Sequence, residues 1–359
     1  MTCEPALPAI GGAPVVRLQC EDRDRAGPAF TSADVAPGRG MLLLQLRAVL
    51  PGRGEVELLA TPPLDEVARR LDGGPDDFAG NRSFSLGGAI LLPFANRIRG
   101  RPLTDRREIE TRVLGHIVRL PRNWGGRAAG AEQYAMHGLI LDRATDELEQ
   151  TRDRVRGRLR VGDFGGHWLS RTEVRCDYAL RPGALDLTVA ASNVGPELLP
   201  IGIGWHPYFR CISGDRKQAK LYIPASGRVV VNNYDEVLPT GEVQPVSGTS
   251  YDFSQPGGRA LGELYLDDCF VDLAPRDGRA VAEWIDPAAG LGLRVSAAAP
   301  PVSAFQAYAP IDQAFVALEP QYNRADPFGA EWNGADTGMV VLRPGETTTY
   351  AVRVELFQV

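Results

Sequence analysis

The run Leu185-Asp-Leu-Thr-Val-Ala-Ala-Ser-Asn193, followed closely by Gly202-Ile-Gly-Trp-His206-Pro-Tyr-Phe-Arg210, decides how this chain is read. Apolar and polar residues alternate through the first stretch, the period of a strand with one buried face. The Asn-Val-Gly-Pro that closes it is turn chemistry. The second stretch carries one of only 4 histidines in the chain. Pro207 biases His206 toward extended geometry, and Trp205, Tyr208 and Phe209 surround it in sequence. An imidazole presented on a strand among aromatic rings suits a proton donor facing a flat, partly apolar ligand. Sugars offer such faces.

Working outward, the same period of two recurs at Gly54–Ala60, Arg158–Val161, Thr172–Leu180, Leu221–Ile223, Arg228–Val231, Phe270–Leu273, Leu293–Ser296 and Thr349–Leu356. Forty Gly and 28 Pro cut the chain into these short segments, the punctuation of strands and turns. Only Pro63–Leu71 has a helical period. Many strands with few short helices predict an all-β sandwich or barrel. No fixed-period repeat supports a propeller. No long linker divides the chain, so residues 1–359 are expected to form a single domain. Within it, 1–40 is expected to be a partly irregular N-terminal segment, with 22–40 polar and loop-like. The last alternating segment predicts a C-terminus tied into a sheet.

At 359 residues the chain can bury a full core without disulfides or metals. A net charge of -6 with scattered charges argues against a nucleic-acid footprint. Cys3, Cys20, Cys176, Cys211 and Cys269 form no C-x-x-C pair and are odd in number, which predicts reduced thiols and a cytoplasmic protein. The N-terminus shows no secretory signal pattern, and no apolar run reaches the ~20 residues of a membrane span.

Four clusters carry groups capable of chemistry. Asn96-Arg97 follows an apolar strand and places a fork of donors beside an amide, suited to hydroxyl or carboxylate recognition. Its plainer reading is a strand-end turn. His137-Gly138 joins an imidazole to a residue that permits a sharp turn and the close approach of a ligand; a satisfied structural histidine is the alternative. His206 sits in the stretch already quoted. Glu319 follows the apolar run Phe315–Leu318, so the strand carries its carboxylate inward, where desolvation raises its pKa toward that of a general base. A glutamate reaching solvent at a strand end is the alternative. Asp267-Asp268 is a weaker fifth pair, read as turn residues or as an acceptor for a sugar hydroxyl. There is no G-x-S-x-G elbow, P-loop or dinucleotide fingerprint, and no histidine pair at zinc spacing.

In this order the clusters resemble the aldose 1-epimerase (galactose mutarotase) family. The matching pieces are Asn96-Arg97-Ile98, Asn123-Trp124, Met136-His137-Gly138, Pro200–Phe209, Leu238–Glu242, Asp267–Phe270 and Leu318-Glu319-Pro320-Gln321, from about residue 40 to the C-terminus. The resemblance implies a large β-supersandwich and interconversion of the α and β anomers of an aldose without cofactor or metal. It implies Glu319 as base and His206 as acid. His137 would lie near the ring oxygen, Arg97 and Asp267 would hold sugar oxygens, and Asn96 would support them. His206 is expected to rest protonated beside a carboxylate. The chain departs from the family pattern at Leu139, Asp268 and Pro320. The expected partner is a monosaccharide or sugar derivative, with no nucleic acid or membrane, for a monomer or homodimer. Two rivals remain. One is a hexose-6-phosphate 1-epimerase of the same fold, which needs arginines such as Arg99, Arg101, Arg122 or Arg127 at the pocket. The other is a carbohydrate-binding or sensing protein without turnover. The segment 64–84 has no role assigned by sequence.

Overall fold

The computed structural model describes residues 7–20, 27–104 and 107–359. Cys3 therefore lies outside the described residues, and Cys20, Cys176, Cys211 and Cys269 form no disulfide among themselves. The alternating segments are strands. Thr172–Arg181 and Ala184–Asn193 pair antiparallel through ten residues, and the C-terminal strand Thr347–Gln358 joins the other side of Ala184–Asn193. These three belong to a nine-stranded sheet, which stands with an eleven-stranded one as the principal framework. The helical period at Pro63–Leu71 becomes the short α-helix Leu64–Arg70.

Residues of both sheets meet in one core cluster: Leu185, Leu187 and Val189 from the first, Phe209, Phe270, Phe305 and Leu318 from the second. Thr172–Arg181, Ala184–Asn193 and Thr347–Gln358 alternate between buried and less buried positions and so turn one face toward solvent. The central strands of the larger sheet do not. Gly204–Arg210, Ala304–Ala309 and Phe315–Gln321 are buried almost throughout. One face of this sheet meets the core, and the other is covered by loops. The hydrophobic pattern blurs where it does because both faces are shielded from water.

Residues 29–36 correct the reading of 22–40 as a loop: Ala29–Ala36 is a strand of the large sheet, paired with both neighbours. Its Asp34 looks like a loop residue in sequence. In the fold it is fully buried, and its two oxygens accept from Arg17 Nε at 2.7 Å, Arg17 Nη2 at 3.0 Å and Arg47 Nη1 at 2.8 Å. Charge pairing across strands makes the buried aspartate tolerable, and it cannot be read from one strand alone. Residues 22–26 of that reading lie outside the described residues.

Segment 64–84 continues beyond its helix into short 3₁₀ turns, within the kinked stretch Pro75–Gly80 and at Ser83–Ser85. A buried ion pair holds it: Arg39 Nη2 donates to both Asp77 oxygens at 2.8 and 2.7 Å, while Arg39 also donates to Ser83 Oγ. This anchors Phe84 at the edge of the cavity described next.

Candidate active site

The pleat of the large sheet decides which side chains share a face. On Gly204–Arg210, Trp205 and Phe209 enter the core, so His206 and Tyr208 stand on the opposite face. The same parity puts Glu319 and Phe315 opposite Val316 and Leu318, and Gln306 and Tyr308 opposite Phe305 and Ala307. Register then aligns them. Cys269 pairs with Gln306 and Gln306 with Glu319, while His206 pairs with Ala89 on its other side. The pairs Gly204↔Gln321 and Tyr208↔Ala317 leave His206 across from Glu319. In the next row Asp267 pairs with Tyr308. A carboxylate and an imidazole more than a hundred positions apart become cross-strand neighbours, with His206 Nε2 3.2 Å from Glu319 Oε1.

Both members of this pair are almost wholly buried, Glu319 at 1% exposure and His206 at 4%. Burial dominates their protonation. It pushes the Glu319 carboxyl well above its ordinary value, with the Asp267 charge adding to the rise and Arg97 opposing it. It pushes the His206 imidazole down to about 3. The expectation that His206 rests as an imidazolium is thereby corrected: desolvation outweighs the backbone hydrogen bond that favours the charged ring, and the nearby Arg97 charge adds to the fall. The physical unit is the pair, holding one proton between carboxyl and imidazole.

Asn96, Arg97 and His137 arrive on segments laid over the sheet. Arg97–Arg99 pairs with Gln133–Met136, and Trp124–Gly125 flanks the latter, forming a small three-stranded cap. Asn96 and His137 both adopt the left-handed backbone conformation, at φ 62° and 61°, and His137 N donates to Asn96 O at 2.8 Å. Gly138, at φ 85°, follows because a Cβ there would stand 2.3 Å from the Leu92 carbonyl oxygen. The glycine admits a neighbouring backbone, where the sequence reading expected a ligand. Asn123 braces the turn: its side chain accepts from Met136 N at 2.8 Å and donates to Met136 O at 3.1 Å.

Four side chains close a ring beside the pair. Arg97 Nη1 donates to Asn96 Oδ1 at 2.8 Å and Arg97 Nη2 to Asp267 Oδ2 at 3.3 Å. Gln306 Nε2 donates to Asp267 Oδ1 at 2.6 Å, and Asn96 Nδ2 donates to Gln306 Oε1 at 3.1 Å. Sequence reasoning missed Gln306, because a glutamine within an alternating strand carries no mark of function. His137 stands against the His206 ring at 5.0 Å and the Phe84 ring at 4.7 Å, both edge-on. Burial, then the neighbouring His206 and Arg97, push it well below its ordinary value and keep it neutral.

All six predicted residues, Asn96, Arg97, His137, His206, Asp267 and Glu319, line one cavity of about 490 Å³. Trp205 belongs to the core, while Tyr208 lines the cavity and donates its hydroxyl to Phe84 O at 2.9 Å. Both ring nitrogens of His137, Glu319 Oε2 and Arg97 Nε are buried without a protein partner. Leaving such atoms unpaired costs ~1–3 kcal/mol each, so their concentration here marks a place for a polar ligand. Of the four arginines weighed for phosphate, Arg127 lines the cavity. Arg99 is engaged by Asp326 and Glu331, and Arg101 by Glu110. Asp268 is fully buried, accepting from Arg228 Nη1 at 2.6 Å and from the Tyr234 hydroxyl at 3.1 Å, so it anchors the cavity rim from below. Among the described residues, no three His, Cys, Asp or Glu side chains gather as a metal-binding group.

The sequence profile described as Aldose 1-epimerase matches residues 64–355. The chain belongs to the aldose 1-epimerase family. Among curated proteins it is similar to the uncharacterized protein YphB of Escherichia coli (strain K12), 29% identical over 184 residues. That match spans 50% of this chain and 58% of the relative's length. Among solved structures it resembles a galactose mutarotase-like protein from Clostridium acetobutylicum, with a TM-score of 0.71 at 17% identity over 92% of this chain and 93% of that one. An aldose epimerase homologue from C. elegans gives a TM-score of 0.71 at 16% identity, over 96% and 99% of the two chains. At these identities the structures speak for the fold, and it is the large β-supersandwich of galactose mutarotase-like proteins that the sequence led us to expect. Among the described residues no helix is long and apolar enough to cross a membrane.

Proposed function

We propose that this member of the aldose 1-epimerase family is a mutarotase, interconverting the α and β anomers of an aldose with Glu319 as base and His206 as acid. The observation that carries the reading is the contact between His206 Nε2 and Glu319 Oε1 on the cavity wall. Ring opening removes a proton from the anomeric hydroxyl and delivers one to the ring oxygen as the C1–O5 bond breaks. A pair that shares a single proton holds both functions ready. When a sugar enters, its hydroxyls replace the contact between the two side chains, and the proton passes to the imidazole while the carboxylate is freed to act as base. After rotation about C1–C2 the aldehyde recloses on either face, and the reverse transfers restore the pair. No net proton, electron or cofactor is consumed. Each group contributes roughly 10²–10⁴ in rate.

His137, held neutral by burial, offers one donor and one acceptor beside the ring oxygen. Asp267 and Arg97, tied through Asn96 and Gln306, present a rigid set of acceptors and donors to the sugar hydroxyls. This arrangement supports catalysis over binding alone, since recognition needs no matched acid and base. The same proposal keeps residues 1–359 as one domain and, on the cysteine pattern, a cytoplasmic protein.

The test is anomer exchange followed by NMR for a panel of free and phosphorylated aldoses. Exchange faster than in buffer is expected for free sugars. Acceleration confined to phosphorylated sugars would replace the proposed substrate, and binding without acceleration for any of them would end the proposal.

A further inference from the structure

Of the large hydrophobic side chains that stand exposed among the described residues, two are aromatic, Trp124 and Tyr234, each 40% exposed. Both line the rim of the cavity. The other described Trp, Tyr and Phe rings are buried or half-buried, so two left in water at one mouth mark a contact surface. They stand on different loops, and hydrogen bonds fasten those loops together. Arg127 N donates to Asp235 Oδ2 at 3.1 Å and Glu132 N to Glu236 Oε1 at 2.8 Å. Each ring is held from behind. Trp124 meets Phe84 edge-on at 5.5 Å. Tyr234 meets Tyr265 edge-on at 5.1 Å, and its hydroxyl reaches the buried Asp268.

The rim is thus a braced aromatic platform, above an interior where Glu319, His206 and His137 are each 4% exposed or less. The cavity of about 490 Å³ falls within the ~300–1,000 Å³ range that encloses drug-sized ligands, more than a lone pyranose needs. With the anomeric carbon at the buried pair, the opposite edge of the sugar ring points outward. A substituent there meets Trp124 and Tyr234. Flat apolar rings with a polar tip suit the faces of a second sugar ring. Arg127 and Asp235 on the same rim offset one another in charge, which favours a neutral extension over a phosphate.

We propose, resting on the mutarotase reading, that the preferred substrates are reducing oligosaccharides, whose reducing ring enters the cavity while the adjacent ring stacks on the platform of Trp124 and Tyr234.

The experiment pairs two readouts on the full chain, using galactose, glucose and their 1→4- and 1→6-linked reducing disaccharides. Saturation-transfer difference NMR maps which ring touches the protein, and exchange NMR measures anomer turnover. Strong saturation of the outer ring is expected in the wild type, together with a kcat/KM for the better disaccharide about tenfold above that for its monosaccharide. Trp124→Ala should abolish the outer-ring saturation and bring the kcat/KM ratio near one, while Trp124→Phe, which keeps a stacking face, restores much of both. An outer ring that stays unsaturated while the reducing ring is saturated overturns the inference and leaves the mutarotase reading standing. An outer ring saturated through Trp124, with no turnover of any sugar, upholds the platform and removes the catalytic reading. Equal kcat/KM for mono- and disaccharide in the wild type also overturns the inference.

Discussion

Replacing Glu319 with glutamine tests the core of the proposal, because it preserves shape while removing the base. The side chain is 1% exposed and 3.2 Å from His206, and burial already favours its neutral form. An uncharged isostere should therefore shift stability by no more than about 1 kcal/mol, or about 1–2 °C in Tm for a chain of this size. Activity should respond far more. Loss of a positioned general base lowers kcat/KM by roughly 10²–10⁴, which is ~2.7–5.4 kcal/mol of transition-state stabilisation at ~1.36 kcal/mol per decade. Aspartate separates charge from geometry. It keeps a carboxylate but withdraws it by one carbon–carbon bond of ~1.5 Å, taking the 3.2 Å contact beyond hydrogen-bond range. A displacement of that size costs ~10² in rate. The assay is anomer exchange by NMR on a free aldose, with thermal unfolding of each variant in parallel. A loss below tenfold in Glu319→Gln, or full activity in Glu319→Asp, would refute the assignment of this carboxylate as the base.

The pH profile follows from the same burial. His206 is pushed below the ordinary imidazole value, so it stays neutral as pH falls, and Glu319 is pushed above the ordinary carboxylate value, so it keeps its proton as pH rises. The pair therefore holds one proton over a wide range, and kcat/KM should show a broad plateau with its acid limb well below ~6.5; an acid limb at that ordinary value contradicts the desolvated pair. Gly138→Ala forces a Cβ to 2.3 Å from the Leu92 oxygen at φ 85° and should lower stability by at least ~1–3 kcal/mol, read from denaturant midpoints, with an unchanged midpoint refuting the need for glycine. Asp77→Ala strands the buried Arg39 guanidinium and should cost ~3–5 kcal/mol while loosening Phe84 and raising KM; a cost under about 1 kcal/mol would show that the pair does not anchor segment 64–84.

Much of the fold was legible because its strands each carry a local signature. Thr172–Arg181, Ala184–Asn193 and Thr347–Gln358 alternate visibly since one face of their sheet meets water. Ala29–Ala36 was not legible, because Asp34 is buried against Arg17 and Arg47 from two other strands. Within the site, residues with distinctive chemistry in a distinctive order stood out, namely Asn96, Arg97, His137, His206, Asp267 and Glu319. Gln306 did not: its part is to join Asp267 to Asn96, a role made by neighbours that lie far away along the chain. Segment 64–84 was equally mute until the Arg39–Asp77 pair showed what it holds.

What the sequence determined by itself was therefore the all-β class, the family and the types of group available for chemistry, since these reside in local period and in the order of motifs. The charge state of those groups was settled only by the tertiary structure. The acid role implied by the family resemblance predicted an imidazolium at residue 206; register and loop coverage instead enclose it with Glu319 away from water. The free energy of a charge depends on the whole volume of matter around it, and that volume is assembled from segments the chain itself keeps far apart.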